Sequence, residues 1–320
     1  MSLSGVVARV DLQGVVVLDD AGALTWATVR KRLMDPGARL GNAIVAGDRV
    51  TFEAGEDDGP AVVTGIAPRR NRFERAASGA AASGRTQITA ANLDQVLAVA
   101  ALMDPPLREG LLDRFAVTCE ALGLPLLVAF SKADLIGPAE VTAARALYER
   151  AGYPTYVLAA LEGRGVPELG AALAGKRTLV IGHSGVGKST LLNVLVPSLG
   201  LKIGEVNART GRGRHTTTAA TLVRIAEGPP PTEVIDTPGV RAFGLLPIGV
   251  AGLARLFPEW RGRGPCRFAD CAHRDEPGCA LKEAVAEGAI GAERYASYVR
   301  LRDELEHAAP RRSRGTKTRR

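Results

Sequence analysis

The sequence predicts a multidomain chain of three modules. They are an N-terminal all-β barrel of the OB-fold type, a central α/β P-loop domain, and a small C-terminal helical domain organised by a metal site. Three observations carry this. Five short β-like runs separated by Gly and Asp turns fill residues 4–70. From Gln95 onward strands alternate with helices, and one strand leads into Gly182-His183-Ser184-Gly185-Val186-Gly187-Lys188-Ser189, which fits G-x-x-x-x-G-K-[ST]. Three of the four cysteines fall, with a histidine, between Cys266 and Cys279.

The 320 residues suffice for two or three domains, and 46% hydrophobic content supports ordinary cores. Aromatics are only 4%, so those cores rest on Val, Leu, Ile and Ala. The net charge of +7 favours an acidic partner such as RNA, DNA or anionic lipid. Met1-Ser2-Leu3-Ser4-Gly5 has no basic start and no long apolar run, so no signal peptide is expected. The longest apolar stretches, such as Val96 to Leu102, are too short to span a bilayer. The expectation is a cytoplasmic protein with no membrane partner, where paired disulfides are rare.

The barrel is expected over 1–72. Its strands are Val6–Val10, Gly14–Leu18, Leu24–Val29, Arg49–Phe52 after the Gly47-Asp48 turn, and Ala61–Ile66. Such barrels often bind nucleic acid, and Arg69, Arg70, Arg72 and Arg75 add charge at its edge. Residues 73–90 are expected to be a flexible linker; within them Ala76 to Gly84, low in complexity and rich in small residues, reads as a linker or a hairpin tip. The α/β domain is expected over 91–246. Strands are predicted at Gln95–Leu102, Leu126–Phe130, Tyr156–Leu158, Thr178–Ile181, Thr221–Ile225 and Glu233–Ile235. Helices are predicted at Leu107–Leu122, Pro138–Ala151, Val166–Leu173 and after the P-loop. Cys119 shares an apolar stripe with Leu111, Leu112 and Phe115, so it reads as a core residue.

Glycines between a strand and a helix N-terminus let backbone N–H groups turn toward phosphate, and the helix dipole adds positive potential. Lys188 can reach the β- and γ-phosphates, Ser189 can ligate Mg²⁺, and Thr190, which opens the helical run to Leu195, is expected with the whole P-loop to bind the nucleotide. Asp236-Thr237-Pro238-Gly239 ends another strand. Its carboxylate can hold Mg²⁺ through water, and the Gly239 N–H can meet the γ-phosphate. Ser131-Lys132-Ala133-Asp134 ends a third strand. The Asp134 carboxylate can accept two hydrogen bonds from guanine, a donor pair that adenine lacks. The run resembles the guanine-specificity motif Asn-Lys-x-Asp with Ser131 in place of Asn. Ala159-Ala160 stands where GTPases carry a Ser-Ala dipeptide against the guanine carbonyl. Gly211-Arg212-Gly213-Arg214-His215-Thr216-Thr217-Thr218 is a glycine-rich loop whose threonines can complete a Mg²⁺ shell. The base-reading motif precedes the P-loop, the reverse of the ordinary order. The central domain is therefore expected to be a circularly permuted P-loop GTPase.

Cys266-x₄-Cys271-x-His273-x₅-Cys279 offers three thiols and an imidazole, a closed tetrahedral set for one structural Zn²⁺. Helices are predicted at Val250–Phe257, Lys282–Glu287 and Ala292–Glu306, giving a zinc-binding helical domain over 247–310. Residues 311–320 form a basic tail able to bind RNA by charge.

The barrel, the permuted order, the Gly-Arg-His-Thr-Thr-Thr loop and the Cys₃His spacing together closely resemble the bacterial ribosome small-subunit-dependent GTPase A family, over nearly the whole chain. The resemblance implies GTP hydrolysis to GDP and phosphate, with Mg²⁺, stimulated by the small (30S) ribosomal subunit. It also implies contact with 16S rRNA, a role in late maturation of the subunit, and a monomer. Val240 follows Gly239 where many GTPases carry a water-positioning Gln, and the family has an apolar residue there. The resemblance moves water positioning to His215, with Lys188 and Thr217 as its catalytic partners and Ser189, Thr217 and Asp236 as the Mg²⁺ set. Thr216 is the alternative to Thr217. The residues taken alone leave open a P-loop NTPase acting on another RNA or ribonucleoprotein.

Overall fold

The computed structural model describes residues 2–33, 43–55, 59–76, 86–196, 220–239, 243–246 and 248–308. Valine-rich runs build β1 (Ser2–Val10), β2 (Val15–Asp19), β3 (Leu24–Val29), β4 (Arg49–Glu53) and β5 (Ala61–Ile66). They close in the order β1-β2-β3-β5-β4-β1, with β3 and β5 parallel and the other pairs antiparallel. This is the five-stranded barrel of OB-fold type that the sequence predicts. Val7, Val15, Val17, Ala27, Val50, Phe52 and Val63 fill its interior. Val6, Ala8 and Leu18 instead join the core of the α/β domain. Arg9 pairs with Thr221, so β1 also continues the central sheet.

Near-continuous apolar runs form β8 (Gln95–Ala101), β9 (Leu126–Ser131) and β11 (Arg177–Gly182), as strands covered on both faces require. With β10 (Thr155–Val157) and β13 (Thr232–Asp236) they make a parallel sheet ordered β10-β9-β8-β11-β13. β12 (Thr221–Ala226) adds an antiparallel edge beside β13. Alternate side chains serve two cores. Val96, Ala98, Val128 and Phe130 pack with α1 (Glu109–Leu122) and α2 (Pro138–Arg150). Leu97, Val99, Leu127 and Ala129 pack with α3 (Val166–Leu173) and α4 (Lys188–Leu195). Cys119 is fully buried in the first core, and burial pushes its thiol pKa up, which leaves it inert.

The linker expected at 73–90 is corrected in its described part. β6 (Arg72–Ala76) and β7 (Thr86–Ala91) pair antiparallel, while 77–85 lie outside the described residues. The physical reason is Phe73, which is buried against Phe243 with ring centroids 6.1 Å apart, while Phe243 also meets Phe115 edge-on at 4.9 Å.

The C-terminal module holds α5 (Ala280–Ala286) and α6 (Ala292–Ala308). The helix expected from Val250 to Phe257 is instead a 3₁₀ run, Val250–Leu256. Gly252 weakens an α-helix there, and Pro258 disfavours helical backbone at Phe257. Leu253, Phe257, Trp260, Leu281, Tyr298 and Leu301 form this module's core, together with Val117 from α1. Arg294, only 1% exposed, fastens it to the α/β domain. Its Nε lies 2.7 Å from Glu259 Oε1, its Nη1 pairs with Asp113, and its guanidinium sits 4.8 Å over the Phe257 ring. The Tyr148 hydroxyl donates to the same Asp113 carboxylate at 3.1 Å. Among the described residues no helix is long and apolar enough to cross a membrane.

Candidate nucleotide site and metal cluster

The carboxyl ends of β8, β9, β11 and β13 meet at one edge of the sheet, where open α/β sheets bind ligands. β11 ends at Gly182, and the loop that follows turns into α4 through Gly187, whose φ of +89° suits glycine. Lys188 opens α4 and is only 7% exposed. Its ammonium donates to the carbonyls of Gly182 at 3.0 Å and His183 at 3.1 Å. Burial lowers the Lys188 pKa, and the nearby Asp236 carboxylate partly opposes that. Ser184 and Gly185 are exposed on the loop, Val186 is buried beneath it, and Ser189 and Thr190 are half-buried in the first turn of α4.

Asp236 ends β13 beside this loop. Burial raises its pKa to about 6, against the pull of Lys188 and the Thr237 N–H. Its Oδ1 is buried without a hydrogen-bond partner. An orphaned carboxylate oxygen beside a P-loop fits a hydrated divalent cation, which would satisfy it. Thr237, which sequence reasoning did not single out, donates through Oγ1 to Val180 O at 2.8 Å and so fixes the turn after Asp236 to the P-loop strand. A Cβ on Gly239 would lie 2.7 Å from Ser184 Cα, so only glycine lets this turn approach the P-loop.

Ser131 ends β9. Its Oγ lies 2.6 Å from Val186 O and 3.3 Å from Ala100 O, so its single proton goes to the P-loop carbonyl. The hydroxyl thus ties the base-side loop to the phosphate-side loop. Lys132, at φ +57°, reaches the Asp104 carbonyl and lies 3.9 Å from the Asp104 carboxylate. Asp104 is a contact that sequence reasoning missed, since nothing along the chain links the end of β8 to Lys132. Asp134 sits in the short 3₁₀ turn Ala133–Leu135 with its side chain exposed. The Ala133 N–H donates to Leu158 O at 3.1 Å, which brings the Ala159-Ala160 turn alongside. Ala159 itself is buried, and its N–H donates to Arg164 O at 3.1 Å. Ser131, Lys132, Asp134, Ala159, Ala160, the P-loop, Asp236 and Gly239 therefore converge on one edge. His215, Thr216, Thr217 and Val240 lie outside the described residues.

At the other end of the chain, one ligand atom each from Cys266, Cys271, His273 and Cys279 lies within 4.8 Å of the other three, a cluster able to hold one metal ion. His273 Nδ1 is 3.5 Å from both Cys266 Sγ and Cys279 Sγ, and those sulfurs are 4.0 Å apart. A tetrahedral ion with bonds of about 2.3 Å to sulfur and about 2.0–2.1 Å to nitrogen needs edges of about 3.8 Å and about 3.6 Å, so the set fits. Sequence reasoning did not reach the supporting shell. Tyr295 OH donates to His273 O at 2.7 Å and Tyr298 OH to Ala272 O at 3.0 Å, which moors the loop to α6. The Glu276 carboxylate accepts the Ala272 and Arg274 N–H groups at 2.8 Å each, which holds its pKa down near 2.

A family model described as RsgA GTPase matches residues 66–246, more than half of the chain. The chain belongs to the RsgA GTPase family. The match takes in the β6–β7 ladder as well as the α/β domain of this RsgA GTPase. A protein of Porphyromonas gingivalis named small ribosomal subunit biogenesis GTPase RsgA is 36% identical over 307 residues, covering 94% of this chain and 97% of that protein. One of the same name from Gemmatimonas aurantiaca is 39% identical over 291 residues, covering 90% and 93%. Among solved structures, YjeQ from Thermotoga maritima superposes with a TM-score of 0.73 at 31% identity, covering 96% of this chain and 99% of that one. YloQ, described as a circularly permuted GTPase, gives 0.68 at 24% identity over 97% of each chain, a likeness of fold. In this RsgA GTPase the permutation is visible in the sheet, where the P-loop strand β11 is central yet fourth in chain order among the domain's six strands.

Proposed function

We propose that this GTPase acts on the small (30S) ribosomal subunit during its late maturation, and that docking on the subunit stimulates hydrolysis of GTP to GDP and phosphate. The observation that carries the reading is the convergence of Lys188, Asp236 and Ser131 around one P-loop, in a chain whose relatives are named for small ribosomal subunit biogenesis. Asp134 reads guanine, with Lys132 and the Ala159-Ala160 turn beside it. Lys188 and the P-loop N–H groups take the phosphates, and Ser189, Asp236 and Thr217 hold Mg²⁺ with the nucleotide. The buried, unpartnered Asp236 Oδ1 supports that assignment. Cys266, Cys271, His273 and Cys279 hold one Zn²⁺ with no open position, so its role is structural. The barrel, the zinc module and the basic tail bind 16S rRNA. The protein works as a cytoplasmic monomer.

Val240 has no polar atom with which to orient water, so His215 takes that role. His215→Ala should lower subunit-stimulated GTP turnover by about 10²–10⁴-fold with nucleotide affinity nearly unchanged. Parallel measurement of turnover and of nucleotide binding tests this. Equal losses in both would make His215 a structural residue.

A further inference from the structure

One tryptophan is packed for a structural purpose and the other is not. Trp260 lies in the C-terminal core, stacked on Phe257 at 4.7 Å. Trp26 stands on β3 with 42% of its surface exposed, beside Leu24 on the same strand at 67%. Strand register explains the placement. Val15 and Ala27 pair and face the barrel interior, while the next pair, Val16 and Trp26, faces out. Arg9 pairs with Val16 across the other side of β2, so Arg9, Val16 and Trp26 form a row outside the barrel, in which Val16 packs on the α/β core while Arg9 and Trp26 are exposed. A Cβ on Gly14 would come within 2.9 Å of Trp26 Cζ2 and 3.1 Å of Cε2, so the indole lies close over the Gly14 backbone. Arg30, Lys31 and Arg32 follow directly at the end of β3, and Lys31 and Arg32 are exposed.

A partly exposed ring on a strand that runs into a basic segment matches the needs of unpaired nucleic acid. A base supplies a π-face for the ring, and cations meet the phosphates. We infer that Trp26 is a stacking site for one unpaired RNA base, with Lys31 and Arg32, roughly 16 Å or more along the chain, taking phosphates further along the same RNA strand. The site rests on the reading of the barrel as an RNA contact and names the residue through which it acts. It also lies on the row that ends, through Arg9, at Thr221, the first residue of β12.

The test uses the full-length protein and an unstructured oligoribonucleotide, read by intrinsic fluorescence and by anisotropy of labelled RNA. Wild type should show saturable quenching. Trp26→Phe should abolish the quenching yet bind within about 3-fold, because phenylalanine keeps a ring. Trp26→Ala should weaken binding by roughly 5–150-fold, the range for losing one base–aromatic stack. Quenching that persists in Trp26→Phe, binding by Trp26→Ala equal to wild type, or equal quenching by an RNA duplex would each overturn the site. Weaker small-subunit binding by Trp26→Ala without any effect on the oligoribonucleotide would mark Trp26 as a protein contact and also overturn it. Subunit-stimulated GTP turnover of wild type reports on the ribosomal reading separately, so stimulation without Trp26-dependent RNA binding sinks the stacking site alone.

Discussion

Asp236 shows how one side chain balances stability against chemistry. In nucleotide-free protein without divalent cation, burial raises its pKa from 3.8 to about 6. The folded chain then binds this proton more tightly than the unfolded chain does. The stabilising contribution is full below about pH 4 and is lost as pH rises through about 6, a difference of about 3 kcal/mol. Asp236→Asn should therefore unfold at higher denaturant than wild type near pH 7.5, by up to about 3 kcal/mol, with the gap closing near pH 4. The same substitution should abolish GTP turnover, since the amide cannot replace the carboxylate at the cation. Denaturant titrations at both pH values check this, and an Asn variant no more stable than wild type at pH 7.5 would contradict it. Ser131 makes a related point. Its short hydroxyl departs from the Asn-Lys-x-Asp pattern, yet it reaches the Val186 carbonyl at 2.6 Å. The sequence showed the departure but not the reach, because the partner belongs to another loop.

At the scale of elements, legibility followed the local signal. β5 reads from the sequence to the residue because Ala61–Ile66 is a continuous β-prone run after Pro60. β6 does not, since Arg72–Ala76 carries one large apolar residue, Phe73, whose partners Phe243 and Phe115 come from later segments. Arg294 was invisible for the same reason, being one more arginine in a charged helix until Asp113 and Glu259 close around it. Arg294→Met removes the cation and leaves two buried carboxylates without it, which should cost about 3–5 kcal/mol in chemical denaturation. A loss under about 1 kcal/mol would mean that the pair adds nothing to the joint between α1 and α6. The Cys₃His loop was legible because all four ligands are close in sequence. Removing the metal proposed for it should unfold residues 266–279 and change the fluorescence of Trp260, whose ring centroid is 6.1 Å from that of His273. Nucleotide binding should persist, since the P-loop has its own core. Metal-free protein with an unchanged Trp260 spectrum would argue against a structural ion.

For the whole molecule, the permutation joins the nucleotide edge to the C-terminal module. The chain leaves Asp236 and Gly239 beside the P-loop, and Phe243 then packs on α1 while Leu245 enters the C-terminal core. α1 contacts that module on its far side through Asp113, Val117 and the Arg114–Glu304 pair, with 2.8 Å between Nη1 and Oε1. A change at the γ-phosphate thus has a short covalent route to the surface proposed to touch RNA. The barrel, joined at Arg9 and Thr221, gives a second surface on the same sheet. Residues 311–320 carry six basic side chains and no acidic one, so docking through this tail should release counterions and weaken as salt rises. Docking that sets His215 and Thr217 against the nucleotide would remove a positioning cost from the reaction. The most direct measurement is GTP turnover against small-subunit concentration at low and high salt. Turnover should be slow for the protein alone, rise steeply with subunits at low salt, and lose that stimulation at high salt. No stimulation at low salt, with folded protein and intact subunits, would contradict the ribosomal role and leave a GTPase with a different partner.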